Sequence, residues 1–275
     1  MADTSMYLRS AIYRLPAALR SSLLAHPSAR LFSQSPGLGN KSNTLNLLVL
    51  ISTHHTANKA FLLLSDTFKL ALHQNKQWAQ ATASDQPDLF PTLASGQKPQ
   101  ILWIGCSDSR IPETTVLGLK PGDVFVHRNI ANILPSTDIN SQSVIAYAVA
   151  HLKVMHIVVC GHTSCGGVNA ALANQKLGLI DAWLTPLRKL RAENKPAWDK
   201  EGLSDKERTV KLVEANVRQG VQTLKENAEV IDGMRERGVV VHGLVYDVGS
   251  GELRELEIEE EELEGKKREE AFETK

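Results

Sequence analysis

The chain has 275 residues, 42% of them hydrophobic, and its 31 basic residues are balanced by 31 acidic ones. That length and apolar content support one large domain, or two small ones, with a core of their own. Zero net charge argues against a nucleic-acid binder, which carries a basic surplus, and no apolar run nears the roughly 20 residues of a membrane span.

Residues 1–35 differ from the rest. They hold Arg9, Arg14, Arg20 and Arg30, several serines and a single acid, Asp3. Leu8, Ile12, Leu15 and Leu19 would form one apolar stripe on a helix. This is the makeup of a mitochondrial import sequence, so the matrix is the expected location, or the cytoplasm if the segment is only an arm. Residues 36–67 read as a linker of turn residues leading into a helical arm, with Phe61, Leu64, Phe68 and Leu72 at helical spacing. His54 and His55 are adjacent and cannot share a helix face, so they are not read as ligands. The stretch from Gln86 to Pro99 is rich in loop-forming residues.

Strands and helices then alternate. Strands are expected at Ile101–Gly105, Asp123–His127, His156–Cys160, Gly238–Tyr246 and Leu253–Ile258. Helical patterns lie at Pro112–Leu119, Ser141–Leu152, from Ser164, at Asp181–Arg191 and at Asp205–Met234. The fold class is α/β: a mostly parallel central sheet flanked by helices. A Gly-rich turn at 249–251 makes the last strand an antiparallel edge. The globular domain is expected to span 68–258, and the glutamate run of 259–275 is a charged tail.

Two strand ends carry chemistry. "ILWIGCSDSR", residues 101–110, delivers Cys106, Asp108 and Arg110 at alternate positions, and "VVCGHTSCGG", residues 158–167, delivers His162 and Cys165 where a strand turns into a helix. With so few cysteines a disulfide framework is not expected. Two thiolates and an imidazole suit zinc, and three protein ligands leave the fourth position of a catalytic rather than a structural ion. Cys160 sits inside its strand and reads as a small core hydrophobe. Zinc-bound water is acidic near neutral pH and supplies hydroxide. Thiolates weaken this effect, so a carboxylate that accepts the hydroxide's hydrogen bond is useful. Asp108 is close enough to do so, and Arg110 can clamp it and keep it ionised.

At these residues the sequence resembles the β-class carbonic anhydrases, whose paired signatures are C-x-D-x-R and H-x-x-C. The resemblance runs from about Phe68 to Glu257 and includes "PGDVFVHRNIAN" at 121–132 and "AYAVAHLKV" at 146–154. Residues up to about Thr67 lie outside it. It implies zinc held by Cys106, His162 and Cys165, with an Asp108–Arg110 dyad. It implies a carbon dioxide pocket of Gln97, Phe125 and Tyr147 at a subunit interface, in a homodimer often paired into a homotetramer. The reaction implied is reversible hydration of carbon dioxide to bicarbonate and a proton. In one subgroup the aspartate leaves the arginine to become the fourth zinc ligand. Bicarbonate then binds a tryptophan, an arginine and a tyrosine, which Trp103, Arg128 and Tyr246 match here. His127 is a candidate proton acceptor. Two alternatives stay open: a hydrolase of carbonyl sulfide or carbon disulfide, and a non-catalytic zinc-stabilised assembly module.

Overall fold

The computed structural model describes residues 66–173, 176–258, 265 and 270–272. Residues 1–35, expected to be an import sequence, the linker with His54 and His55, and most of the charged tail lie outside the described residues. The chain divides into two units, Met1–Trp78 and Ala79–Lys275. In the first, the described residues are 66–78, the opening of helix α1 (Thr67–Asp85), which buries none of its side chains. The helix expected from the spacing of Phe68 and Leu72 is present, and both side chains are exposed on it.

The second unit holds the sheet. Its strands are β1 (Ile101–Cys106), β2 (Val124–Asn129), β3 (His156–His162), β4 (Val240–Tyr246) and β5 (Leu253–Glu255), in the order β2-β1-β3-β4-β5. All neighbours are parallel except β4 and β5. From β1 the chain moves out to β2 and then returns to the other side of β1 for β3. The direction of winding therefore reverses between β1 and β3, and a crevice opens beyond their carboxyl ends.

The pleat sends alternate side chains of β1 to opposite faces. Leu102, Ile104 and Cys106 join the larger core cluster, while Trp103 joins a smaller one with Val158, Cys160 and Tyr246. Helices α4 (Ile139–Ala146), α5 (Gly166–Leu172), α7 (Thr185–Lys200), α8 (Asp205–Lys225) and α9 (Ala228–Arg237) contribute to the larger cluster. Short α6 (Ile180–Trp183) leads into α7. The smaller cluster is covered by Ile111, Val116 and Leu117, in and around α3 (Glu113–Val116).

Three elements differ from the sequence reading. The expected loop at 86–99 contains α2 (Leu89–Ser95). Its Pro91 lies in the first turn, where a missing N–H costs no helical hydrogen bond. The long helical pattern of 205–234 is two helices, because Asn227 breaks it and caps the second, its Oδ1 accepting from Val230 N at 3.1 Å. The helix after Ser141 ends in a widened π-type turn, Tyr147–Leu152.

Candidate active site

Cys106 is the last residue of β1 and His162 the last of β3. Cys165 follows through a loop in which Ser164 takes a left-handed φ of 57°. That conformation turns the chain sharply enough to bring the thiol back beside the imidazole. The Cys106, His162 and Cys165 ligand atoms lie within 4.8 Å of one another, and all three residues are buried. Gly167 lets the next turn in closely, since a Cβ there would stand 2.9 Å from the Ala131 Cβ.

The residues fit a metal ion. His162 Nδ1 meets the Thr163 carbonyl at 2.9 Å. A carbonyl only accepts, so Nδ1 carries the proton and Nε2 presents its lone pair. That Nε2 is buried with no hydrogen-bond partner, a costly arrangement unless an ion completes it. Cys165 donates to Cys106 and holds that thiol far below its ordinary value; burial opposes this and His162 adds to it. The same hydrogen bond, with burial, raises Cys165. The Ala131 N–H also points at Cys106 Sγ, 3.3 Å away. Cys160, on the opposite face, is a contrast: burial pushes its thiol up to about 12.

Asp108 and Arg110 stand at the mouth of this cluster. Arg110 Nε donates to Asp108 Oδ1 at 2.9 Å and Nη2 to Oδ2 at 2.6 Å, while the Arg110 backbone N–H adds a bond of 2.9 Å to Oδ1. Nη2 also reaches the Ser164 carbonyl at 3.1 Å, tying the pair to the ligand loop. Asp108 Oδ2 lies 3.9 Å from His162 Nε2. The guanidinium beside Asp108 holds its carboxyl well below the usual carboxylate range, against the smaller opposing effect of burial. An ionised acceptor is thus fixed beside the His162 ligand atom.

The profile of the carbonic anhydrase family matches residues 101–253, which include both ligand motifs. A crystal structure of a β-carbonic anhydrase from Aspergillus fumigatus is similar at a TM-score of 0.74 and 53% identity, over 76% of this chain and 100% of that one. The chain belongs to the β-class carbonic anhydrases. Its curated relatives include carbonic anhydrases of Emericella nidulans, 43% identical over 71% of this chain and 86% of that protein, and of Candida albicans, 38% identical over 85% and 84%. Tetrameric β-carbonic anhydrases from Sordaria macrospora give a TM-score of 0.68 at 50% identity, over 70% of this chain and 98% of that one. The match is to fungal-type members, and zinc is the cofactor that the Cys-His-Cys group of this carbonic anhydrase holds.

Of the expected pocket residues, Phe125 and Tyr147 meet with ring centroids 5.8 Å apart. Gln97 is exposed in the segment before β1. His127 is buried, its Nε2 3.2 Å from Asn129 Nδ2, and burial lowers its pKa although Asp138 opposes this. Trp103 and Tyr246 share the smaller cluster. The register aligns Arg128 with Gly105, on the Trp103 side of β1.

Sequence reasoning missed how Arg128 is used. Its Nε donates to the Cys106 carbonyl at 2.7 Å, its Nη2 to the Asp108 carbonyl, and its Nη1 lies 3.4 Å from Glu113 Oε2. One guanidinium therefore grips the backbone on both sides of Ser107. The Ala131 amide and the Ser164 carbonyl were also missed. Backbone groups leave no trace in side-chain identity, and no motif could have revealed them.

Proposed function

We propose that this carbonic anhydrase hydrates carbon dioxide at the Cys106–His162–Cys165 centre, with Asp108 orienting the attacking oxygen and Arg110 holding Asp108 in place. One observation carries the reading: an arginine-clamped carboxylate 3.9 Å from the free nitrogen of a buried three-ligand cluster. Zinc, when bound, supplies Lewis acidity that makes water acidic enough to yield a nucleophile near neutral pH. Asp108, being ionised, only accepts hydrogen bonds. It takes the hydrogen of the attacking oxygen and so leaves a lone pair facing the substrate. Arg110 keeps the acceptor charged and, through Ser164, in register with the ligand loop. The Phe125–Tyr147 pair offers an apolar wall to a linear, apolar substrate and keeps competing water off it.

The test is stopped-flow hydration of carbon dioxide by the purified protein, with zinc measured on the same sample. Zinc-replete protein that is inert would overturn the reading. Turnover of carbonyl sulfide or carbon disulfide in its place would move the assignment to a hydrolase.

Three finer points belong to the proposal. Gln97 joins the Phe125–Tyr147 wall across a homodimer interface, and dimers pair into a tetramer. The exposed Ile130, Leu179 and half-exposed Tyr147 support such burial, and light scattering that finds a monomer would end it. Asp108 releases Arg110 at low pH to become a fourth ligand, and bicarbonate at Trp103, Arg128 and Tyr246 favours that state. The Arg128 grip on the Cys106 and Asp108 carbonyls supports such coupling, and a flat activity profile from mildly acidic to alkaline pH would refute it. Residues 1–35 direct the enzyme to the mitochondrial matrix, which an import assay with the intact chain would check by protease protection and cleavage.

A further inference from the structure

We infer that Asn216, on α8, is a positioning residue for the zinc centre: it pins a strained turn whose amide holds the Cys106 sulfur. The inference rests on the metal centre described above. Ala131 and Asn132 both take left-handed backbone conformations, with φ of 61° and 45°. Asparagine tolerates this region but alanine avoids it, so Ala131 is the strained residue and needs an outside restraint. The restraint is visible. Asn216 Nδ2 donates to the Ala131 carbonyl at 2.9 Å, from 85 residues away in sequence. On its other side the same peptide segment sends the Ala131 N–H to Cys106 Sγ at 3.3 Å.

The helix bearing Asn216 can reach this far because it lies hard against the sheet. Gly161, just before His162, leaves room for it: a Cβ there would stand 2.8 Å from both Val213 Cγ1 and Val217 Cγ2. Asn216 falls between these two on a stripe that is otherwise Leu212, Val213, Val217, Gly220, Val221 and Leu224. A buried amide on an apolar stripe is costly unless it is hydrogen-bonded, and this one spends its donor on the Ala131 carbonyl. The turn also presses on the segment of another ligand, because a Cβ at residue 167, two positions after Cys165, would stand 2.9 Å from the Ala131 Cβ and 3.0 Å from Ile130 Cγ2. Asn216 therefore couples α8 to the sulfur of one ligand and the backbone of another. Groups that orient metal ligands in this way set affinity as strongly as some ligands do.

The experiment uses Asn216→Leu, which keeps the volume and removes the donor. Its readouts are zinc affinity by chelator competition and the sulfur-to-metal charge-transfer band of the cobalt-substituted protein. Zinc binding is expected to weaken about 10- to 100-fold. The band is expected to move to lower energy, because a sulfur that has lost its N–H donor gives up charge more readily. Adding Ala131→Gly to Asn216→Leu should reverse both changes in part, since glycine holds the turn without a pin. A folded Asn216→Leu protein with wild-type affinity and an unmoved band overturns the inference. If Asn216→Leu alone does not fold, the double variant decides: folding and zinc binding there support the pin, and failure makes Asn216 a packing residue only. Wild-type protein that takes up no zinc would instead sink the metal centre itself, a distinguishable result.

Discussion

The close approach of α8 to β3 beside the zinc centre offers a sharp quantitative test. In Gly161→Ala the added Cβ would meet Val213 Cγ1 and Val217 Cγ2 at 2.8 Å each. Carbon atoms rest at about 3.5–4.0 Å, so each contact is short by about 0.7 Å or more. Neither valine can swing aside. Both are buried on α8, where a β-branched side chain has one strongly favoured rotamer. The helix must lift from β3, and such overpacking costs up to about 3 kcal/mol, here in the upper part of the range because two stiff contacts fail together. For a domain of this size that lowers Tm by roughly 5–10 °C. Thermal unfolding of the zinc-loaded protein by circular dichroism measures it. Zinc affinity should fall with it, because His162 is the next residue and moves with the strand. Replacing both valines by alanine removes the clashing carbons, and Gly161→Ala should then cost little. A Gly161→Ala protein whose Tm stays within about 1 °C of the parent refutes the clash, as does an equal loss in the double-alanine background.

Arg110→Gln removes the charged fork but leaves the ligands alone; kcat/KM should drop about 10²-fold or more, at unchanged zinc content by mass spectrometry. Arg110→Lys should restore only part of this, because an ammonium cannot reproduce the bidentate geometry. Cys106→Ser should abolish stoichiometric zinc binding, while Cys160→Ala, on the far face of the sheet, should keep both zinc and activity. For His127 the sign follows from burial. Its folded pKa lies below the unfolded 6.5, so the unfolded chain binds more protons in acid, and stability is lost as pH falls from 6.5 through the folded value. His127→Gln should therefore narrow the difference in Tm between pH 7.5 and pH 5.5, and an unchanged difference would count against a neutral buried imidazole there.

Much of this site is legible in the order of residues along the chain. Cys106, Asp108 and Arg110 alternate along one extended segment, and His162 and Cys165 flank a loop too short to separate them. Those spacings carry the chemistry whatever surrounds them. The strand positions are readable for a related reason. Buried parallel strands are continuous apolar runs such as "ILWI" and "HIVVC", and no helix-forming pattern competes. Legibility fails where a local signal is overridden. Pro91 reads as loop, yet it sits in the first turn of α2. Asn227 sits inside one continuous helical pattern, yet it ends one helix and caps the next.

By itself the amino-acid sequence determined the strands of the sheet and which side chains stand at the two strand ends, Cys106 with Asp108 and Arg110, and His162 with Cys165, because these depend on residue identity and short spacing along the chain. Tertiary structure alone decided that β3 returns beside β1, so that two motifs some fifty residues apart meet at one crevice. It also decided which backbone groups serve the site: the Ala131 amide, the Ser164 carbonyl, and the carbonyls gripped by Arg128. Every residue carries an amide and a carbonyl, so only their direction in space distinguishes these few, and direction is set by packing at long range.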